Sequence, residues 1–154
     1  MQKIKDFLQD TPYRHFGVEV ASNDASFRRY FRLTQDDKTL VLMDSSLEKS
    51  SLEPFIYITS LLESLNLHAP KIIYEDKEEG FLILEDLGSV NLLDSLNHSN
   101  FKSLYKECID EIIKMQGINI AKLPLYDEAF LKLEMNLMPD WFLKKYLQND
   151  LNID

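Results

Sequence analysis

Hydrophobic and polar positions alternate along the first part of the chain, with the period of two that is typical of β-strands. Three segments show this alternation and are rich in aromatic and β-branched residues, namely 16–22, 26–33 and 39–44. The polar turn TQDDK separates the last two. The pattern predicts an antiparallel meander, preceded by a short helix over residues 3–9.

At Ser50 the spacing of apolar residues changes from two to 3.6. The segment 50–67 carries a broad apolar stripe and predicts a helix, with Pro54 in its first turn. Two further strands are predicted at 71–76 and 81–88, separated by the turn KEEG. We therefore expect a twisted antiparallel sheet of five strands, with the helix packed across one face.

From Asn91 onward the pattern is helical. A short helix is predicted over residues 91–96, and residues 99–147 are predicted to be helical with an interruption at Pro139. Because strands come first and helices follow, the fold class is α+β. The connector DLGSVN predicts a division into residues 1–88 and residues 89–154.

The composition is that of a globular protein. A chain of 154 residues with 45% apolar residues buries roughly 70% of the surface that it exposes when unfolded. The 26 acidic and 17 basic residues leave a net charge of −9, which argues against a nucleic acid as a partner. No run approaches the roughly 18 apolar residues that cross a bilayer. We expect a cytoplasmic protein without a membrane partner, and the single Cys108 fits a reducing compartment.

Most familiar catalytic signatures are missing from the sequence. Only four glycines are present, so neither a Walker loop nor a G-x-G-x-x-G turn can be formed. The three histidines lie far apart without a cysteine or carboxylate at ligand spacing, which argues against a zinc site. We therefore assign no catalytic residue and no metal ligand in this chain.

Four motifs carry a resemblance to a known family. They are SNDASFRRYFRL, LVLMDSS, GFLILEDLG and LPLYDEAFLKLEMNLMPDWFL. Together they resemble the aminoglycoside phosphotransferase-like family, and within it they are most similar to kinases that phosphorylate the anomeric hydroxyl of N-acetylmuramate and N-acetylglucosamine in cell-wall recycling. The resemblance covers Ser22 to Leu143 and corresponds to the first half of such a kinase.

The resemblance implies a protein-kinase-like small lobe followed by the first helices of the large lobe. It also implies ATP and Mg²⁺ as cofactors and an amino sugar as substrate. The family's catalytic loop resembles H-G-D-x-H-x-x-N and its metal-binding motif resembles D-x-[DQ]. Neither occurs in this sequence, so the resemblance places the Mg²⁺ ligands beyond Asp154.

The resemblance assigns a phosphate-binding role to the start of the second strand. The loop before that strand usually contains glycines, whereas this chain has NDAS in its place. Strand alternation puts Ser26, Arg28, Tyr30 and Arg32 on one face. If this face lines the cleft, Ser26 and Arg28 contact phosphate oxygens and Tyr30 flanks the base. In the alternative, the arginines lie on the solvated face of an edge hairpin.

Two features depart from the general kinase pattern. Met43 stands on the third strand where a phosphate-binding lysine is usual, and the partner glutamate on the next helix is missing near Ile58. The absence of both members of this ion pair is energetically easier to explain than the absence of one, because a lone buried charge is costly. Phosphate charge would then be met by an arginine, or nucleotide binding is degenerate.

The segment LEDLG corresponds to the hinge that binds adenine in this fold. The resemblance implies that the Glu85 carbonyl and the Leu87 amide pair with the base. The alternative is a simple strand end with two exposed carboxylates. Further along, Glu134 and Trp141 are candidates for binding and stacking a sugar ring. Their alternative is a core tryptophan beside a carboxylate at the rim.

Two classes of function stay open on the sequence. The first is an ATP-dependent amino-sugar kinase, represented here by its N-terminal part. The second is a noncatalytic module of the same fold that binds a nucleotide or a partner protein. Helices of an incomplete lobe would expose apolar faces, so we expect a homodimer or a complementary C-terminal polypeptide as partner.

Overall fold

The fold is that of a computed structural model that describes residues 2–22, 27–120 and 122–148. The chain divides into two compact units, Met1–Ile118 and Asn119–Asp154. The first unit contains the whole sheet. The division into lobes after residue 88 stays a prediction.

A five-stranded antiparallel sheet forms the centre of the first unit, in the order β1-β2-β3-β5-β4. Its strands are β1 (Gly17–Ser22), β2 (Arg29–Gln35), β3 (Lys38–Asp44), β4 (Ile72–Asp76) and β5 (Phe81–Glu85). The α+β class and the five-stranded sheet predicted from the sequence are confirmed.

Helices cover both faces of this sheet. The first helix, α1 (Gln2–Gln9), buries Ile4 and Leu8 against one face, where the core residues are Phe31, Leu33, Leu42, Phe81 and Ile83. The second helix, α2 (Leu52–Ser64), follows a 3₁₀ turn at Lys49–Ser51 and packs Leu52 against the opposite face, which contributes Met43, Leu82 and Leu84. Period-two alternation sends successive residues of each strand to opposite layers. The helix expected across one face is therefore α2, and α1 covers the other.

The helices after the sheet are shorter than predicted. They are α3 (Leu92–Ser95), α4 (Phe101–Met115) and α5 (Glu128–Leu137), followed by a π-helix at Met138–Tyr146. The prediction of a helix throughout 99–147 is wrong between α4 and α5. The new helix starts late because the Asp127 side chain accepts a hydrogen bond from the Phe130 amide at 2.9 Å and caps it.

Pro139 changes the helix type instead of interrupting the helix. Proline has no amide hydrogen, so the hydrogen bond to the carbonyl four residues earlier cannot form. The chain continues as the π-helix Met138–Tyr146, which ends with the Leu147 amide bonded to the Phe142 carbonyl at 2.9 Å. The wider turn keeps the segment helical past the proline.

An apolar face of α4 is open to solvent in this chain. Its members follow helical spacing and are 42% to 57% exposed, namely Phe101, Tyr105, Ile109, Ile112 and Ile113. Contiguous apolar patches of this kind are uncommon on monomers and mark interaction surfaces. Within the described residues, no helix is long and apolar enough to cross a membrane.

We predict that this α4 face makes the 154-residue chain associate. Light scattering should show dimers or larger species that bind an apolar dye, because association removes apolar surface from water. Replacing Ile109 and Ile113 with glutamine should shift the distribution toward monomer, whereas Ser103→Gln should not. A stable monomer without dye binding would contradict the prediction.

Candidate functional site

The residues predicted to bind a nucleotide lie in two parts of the first unit. Tyr30 and Met43 belong to the sheet face covered by α2. Glu85 ends β5, and Leu87 lies in the connector that follows, which we define as residues 85–88. Ser26 lies outside the described residues.

Met43 is a core residue of the α2 face. Its side chain is 0% exposed and clusters with Leu52, Leu82 and Leu84. Tyr30 is paired with Met43 in the β2–β3 register and packs against the same cluster. The position where a lysine is usual in the fold is therefore apolar and sealed. A charge there would be costly without a partner.

Arg28 connects the start of β2 to the start of α2. Its Nε donates a hydrogen bond to Ser51 Oγ and its Nη2 donates to the Ser51 carbonyl, both at 3.2 Å. Its guanidinium also lies 5.6 Å from the centre of the Phe55 ring. Ser51 is the N-cap residue of α2. The guanidinium and the positive end of the helix dipole thus lie side by side, which makes this corner attractive to an anion.

Arg29, the next arginine, forms an ion pair with Asp44 at the end of β3. The Asp44 side chain is 1% exposed. Burial alone would raise the pKa of Asp44, but hydrogen bonds from Ser46 and Arg29 outweigh it, so the pKa is lowered. The arginines at 28 and 29 therefore hold separate structural elements, and neither is merely solvated.

Glu85 turns its side chain toward the segment that precedes β4. Its amide donates to the Lys71 carbonyl at 2.9 Å, and its Oε2 accepts from the Lys71 amide at 3.3 Å. His68 Nε2 lies 3.4 Å from the same carboxylate. The Lys71 hydrogen bond is the largest contribution that lowers the pKa of Glu85. The Glu85 side chain is therefore engaged with the segment before β4.

Leu87 lies two residues further and is 51% exposed. Among the residues that the structure describes, none accepts a hydrogen bond from its amide. A backbone donor without a partner must be satisfied by water or by a ligand. The connector therefore offers an open donor close to a strand-end carbonyl.

Asp86 lies between these two residues, and only 4% of its side chain is exposed. Its Oδ2 accepts from Arg32 Nε at 2.8 Å, and its Oδ1 accepts from Arg32 Nη2 at 3.2 Å and from the Gly88 amide at 2.9 Å. Burial would raise the pKa of Asp86, but the hydrogen bonds from Arg32, the Gly88 amide and Thr39 lower it overall. The alternative of two exposed carboxylates is wrong for Asp86.

The Arg32–Asp86 pair is the feature that sequence reasoning missed. Its members lie 54 residues apart, so no local pattern joins them. One local signal was present, because an aspartate two residues before a glycine favours a turn closed by its own side chain. Gly88 adopts that turn with φ of 87°, a conformation that residues with a Cβ rarely adopt.

The two predicted sugar-binding residues lie in the second unit. Glu134 accepts a hydrogen bond from the Tyr126 hydroxyl, which raises the pKa of Tyr126. Trp141 is 58% exposed, with Lys145 Nζ 3.6 Å from the centre of its ring. Both side chains reach the surface of this chain, where a carboxylate and an indole are available to a ligand.

Two further features bear on ligands. Residues 2–22, 27–120 and 122–148 contain no group of three histidine, cysteine or carboxylate residues that could hold a metal ion. A groove of about 470 Å³ runs between α2 and β4, and its lining includes Ile56, Thr59 and Ile73 but none of the connector residues.

Comparisons with known proteins agree with one another. A sequence profile of the phosphotransferase enzyme family matches residues 17–152. Proteins called N-acetylmuramate/N-acetylglucosamine kinase are similar to this chain in three bacteria. The one from Pseudomonas aeruginosa is 42% identical over 132 residues, which cover 85% of this chain and 39% of that protein.

The other two relatives cover more of this chain. The kinase from Pseudomonas putida is 37% identical over 150 residues, covering 95% of this chain and 44% of that protein. The kinase from Neisseria meningitidis serogroup B is 35% identical over 156 residues, covering 97% of this chain and 46% of that protein. The chain thus spans less than half the length of these relatives.

We predict that Arg32→Gln raises the pKa of Asp86. In the wild type this carboxyl should titrate below its ordinary value of 3.8. The pair then stabilises the fold above that pH, and this stabilisation is lost as the pH falls through the folded-state pKa. A ¹³C titration of the Asp86 carboxyl measures the midpoint, with Arg29→Gln as the control. An unchanged midpoint in Arg32→Gln would refute the assignment.

Proposed function

The chain belongs to the phosphotransferase enzyme family, as its motifs predicted, and we propose that it forms the nucleotide-binding half of an ATP-dependent amino-sugar kinase. The connector after β5 carries this proposal. It presents the Glu85 carbonyl and the open Leu87 amide at the end of a buried strand. The proposed substrate class follows from the relatives, which are named as N-acetylmuramate/N-acetylglucosamine kinases.

Adenine fits the connector by its pattern of hydrogen bonds. Its exocyclic N6 donates and its ring N1 accepts, which complements a carbonyl acceptor and an amide donor. The α2 face of the sheet supplies apolar side chains that are only partly buried, among them Tyr30 and Val41. We propose that this face forms a wall beside the base, with Tyr30 at its flank.

We propose that the phosphates lie near the start of α2. Arg28 is held there by Ser51, and the helix dipole adds positive potential at the same place. Ser26, outside the described residues, is the second proposed phosphate contact. This arrangement would replace the missing lysine at Met43 with a cation from the neighbouring strand.

The proposed substrate is N-acetylmuramate or N-acetylglucosamine, phosphorylated at the anomeric hydroxyl in cell-wall recycling, with ATP supplied by the cytoplasm. In the complete protein, Glu134 would bind sugar hydroxyls and Trp141 would stack on the ring. Phosphoryl transfer also needs a base near the acceptor and a metal that neutralises phosphate charge. We propose that residues outside this sequence supply both, including the Mg²⁺ ligands.

A second candidate is a noncatalytic module that binds a nucleotide or a partner protein. The buried Met43 favours it, because the β3 position of the usual phosphate-binding lysine carries no charge. The two candidates make different predictions for a protein that also contains the segment missing here: the kinase transfers phosphate, and the noncatalytic module does not.

We predict that the 154-residue chain alone binds ATP weakly and transfers no phosphate. Fusing it in frame to the segment that the relatives carry beyond the matched region should restore Mg²⁺-dependent phosphorylation. The assay is coupled ADP release with N-acetylmuramate and N-acetylglucosamine. Robust turnover by the 154 residues alone would contradict the proposal. A folded fusion that is silent on amino sugars and aminoglycosides would favour the noncatalytic module.

We further predict that Arg28→Ala in the active fusion lowers kcat by at least about tenfold, because a charge on the transferring phosphates is lost. The KM for the sugar should stay unchanged. Arg14→Ala, which removes an arginine next to His15, is the control and should leave kcat unchanged. A raised sugar KM with normal kcat in Arg28→Ala would overturn the phosphate assignment.

A further inference from the structure

An ion pair joins the proposed adenine-binding connector, which follows β5, to a different strand of the sheet. Arg32 lies on β2 and Asp86 lies in the connector after β5. β3 separates these two strands in the sheet, so the arginine reaches past β3 to its partner. The contact fixes the connector to β2, in addition to β5, the strand that it continues.

We propose that the Arg32–Asp86 pair is a positioning device that holds the connector in one register and so selects adenine over guanine. This inference rests on the proposed nucleotide-binding function. Neither side chain needs to touch the base. Their role is to fix the backbone groups of Glu85 and Leu87 that do.

The geometry restrains the connector on both sides of Leu87. Before it, Asp86 accepts two hydrogen bonds from one guanidinium, at 2.8 and 3.2 Å. After it, the Gly88 amide donates to Asp86 Oδ1 at 2.9 Å, and the Gly88 carbonyl accepts from Arg32 Nη2 at 3.4 Å. A two-point contact of this kind sets orientation as well as distance. The Leu87 amide is thereby held between two fixed neighbours.

Burial makes the pair costly to open. The Asp86 side chain is 4% exposed and that of Arg32 is 31% exposed. Removing one partner of a largely buried ion pair leaves an uncompensated charge. The connector should therefore move less than an ordinary surface turn.

A fixed connector discriminates between purines. Guanine presents a carbonyl oxygen where adenine has its amino group, and an N–H where adenine has an acceptor nitrogen. Against the Glu85 carbonyl and the Leu87 amide, both guanine groups face like partners. Like partners leave polar groups unpaired, which is strongly unfavourable in a closed site. A connector that could shift along the base would relieve this mismatch.

The chain offers a matched control on the same strand. Arg29 on β2 also forms an ion pair with a buried carboxylate, Asp44, whose side chain is 1% exposed. Arg29 is the first residue of β2, three positions before Arg32, and its pair makes no contact with the connector among the described residues. Arg29→Gln and Arg32→Gln therefore remove equivalent charges, and only Arg32→Gln frees the connector.

The test is an NMR titration of the ¹⁵N-labelled 154-residue chain with ATP and with GTP. Wild type, Arg32→Gln, Arg32→Lys and Arg29→Gln are compared. Hydrogen exchange of the Leu87 and Gly88 amides is measured without nucleotide. The chemical shifts of the same two amides are then followed as nucleotide is added. Millimolar dissociation constants are accessible by this method.

We expect Arg32→Gln to speed exchange of the Gly88 amide, to weaken ATP binding by about tenfold, and to reduce the preference for ATP over GTP. Arg32→Lys should recover part of the ATP affinity, since lysine keeps the charge without the two-point contact. Arg29→Gln should keep the wild-type preference.

If the wild type binds ATP and Arg32→Gln binds both nucleotides as the wild type does, the positioning role is wrong while the proposed function stands. If no nucleotide shifts the wild-type spectrum, the proposed function and its positioning device both fail. If Arg29→Gln alters the ATP preference as much as Arg32→Gln, the effect belongs to general stability and the inference is overturned.

Discussion

The pairing of β3 with β5 is the constraint on which the rest of the structure depends. Both strands are central in the sheet, and Leu42, Met43, Leu82 and Ile83 are all 0% exposed. Residues that alternate along these strands point into two different helix-covered layers, so both layers must be apolar. The pairing also fixes where β5 ends, and hence where the connector begins.

This constraint shapes the chemistry of the candidate site. The interior of the α2 face holds Met43, and the charges lie at the edges, where water or a carboxylate can compensate them. Arg28 holds α2, Arg29 holds the end of β3, and Arg32 holds the connector. The three clustered arginines of this acidic chain thus each have a structural role. Arg28 alone lies where a helix N-terminus adds to its positive charge.

The strands could be predicted from the sequence, because period-two alternation is a local property and five runs of it match the five strands. The helical ends were predicted less well. Apolar spacing predicted a helix that begins before α5 does, whereas Asp127 caps α5 and fixes its first residue. The π-helix after Leu137 has no sequence signature apart from Pro139. The Arg32–Asp86 pair could not be predicted, since its members lie 54 residues apart and meet only because β2, β3 and β5 are neighbours. The roles of Glu85 and Leu87 were predicted from the family resemblance. The burial of the Asp86 side chain depends on tertiary packing, which the local sequence does not encode.

The central claim is that the connector after β5 binds the adenine of a nucleotide. Intermolecular nuclear Overhauser effects between ATP and the protein test it most directly, because they report which protein protons lie next to the base. The account predicts cross-peaks from adenine H2 to the Leu87 amide and to the methyl groups of Val41. Cross-peaks from the base to Ile56 and Ile73, in the groove between α2 and β4, with none to Leu87, would contradict it.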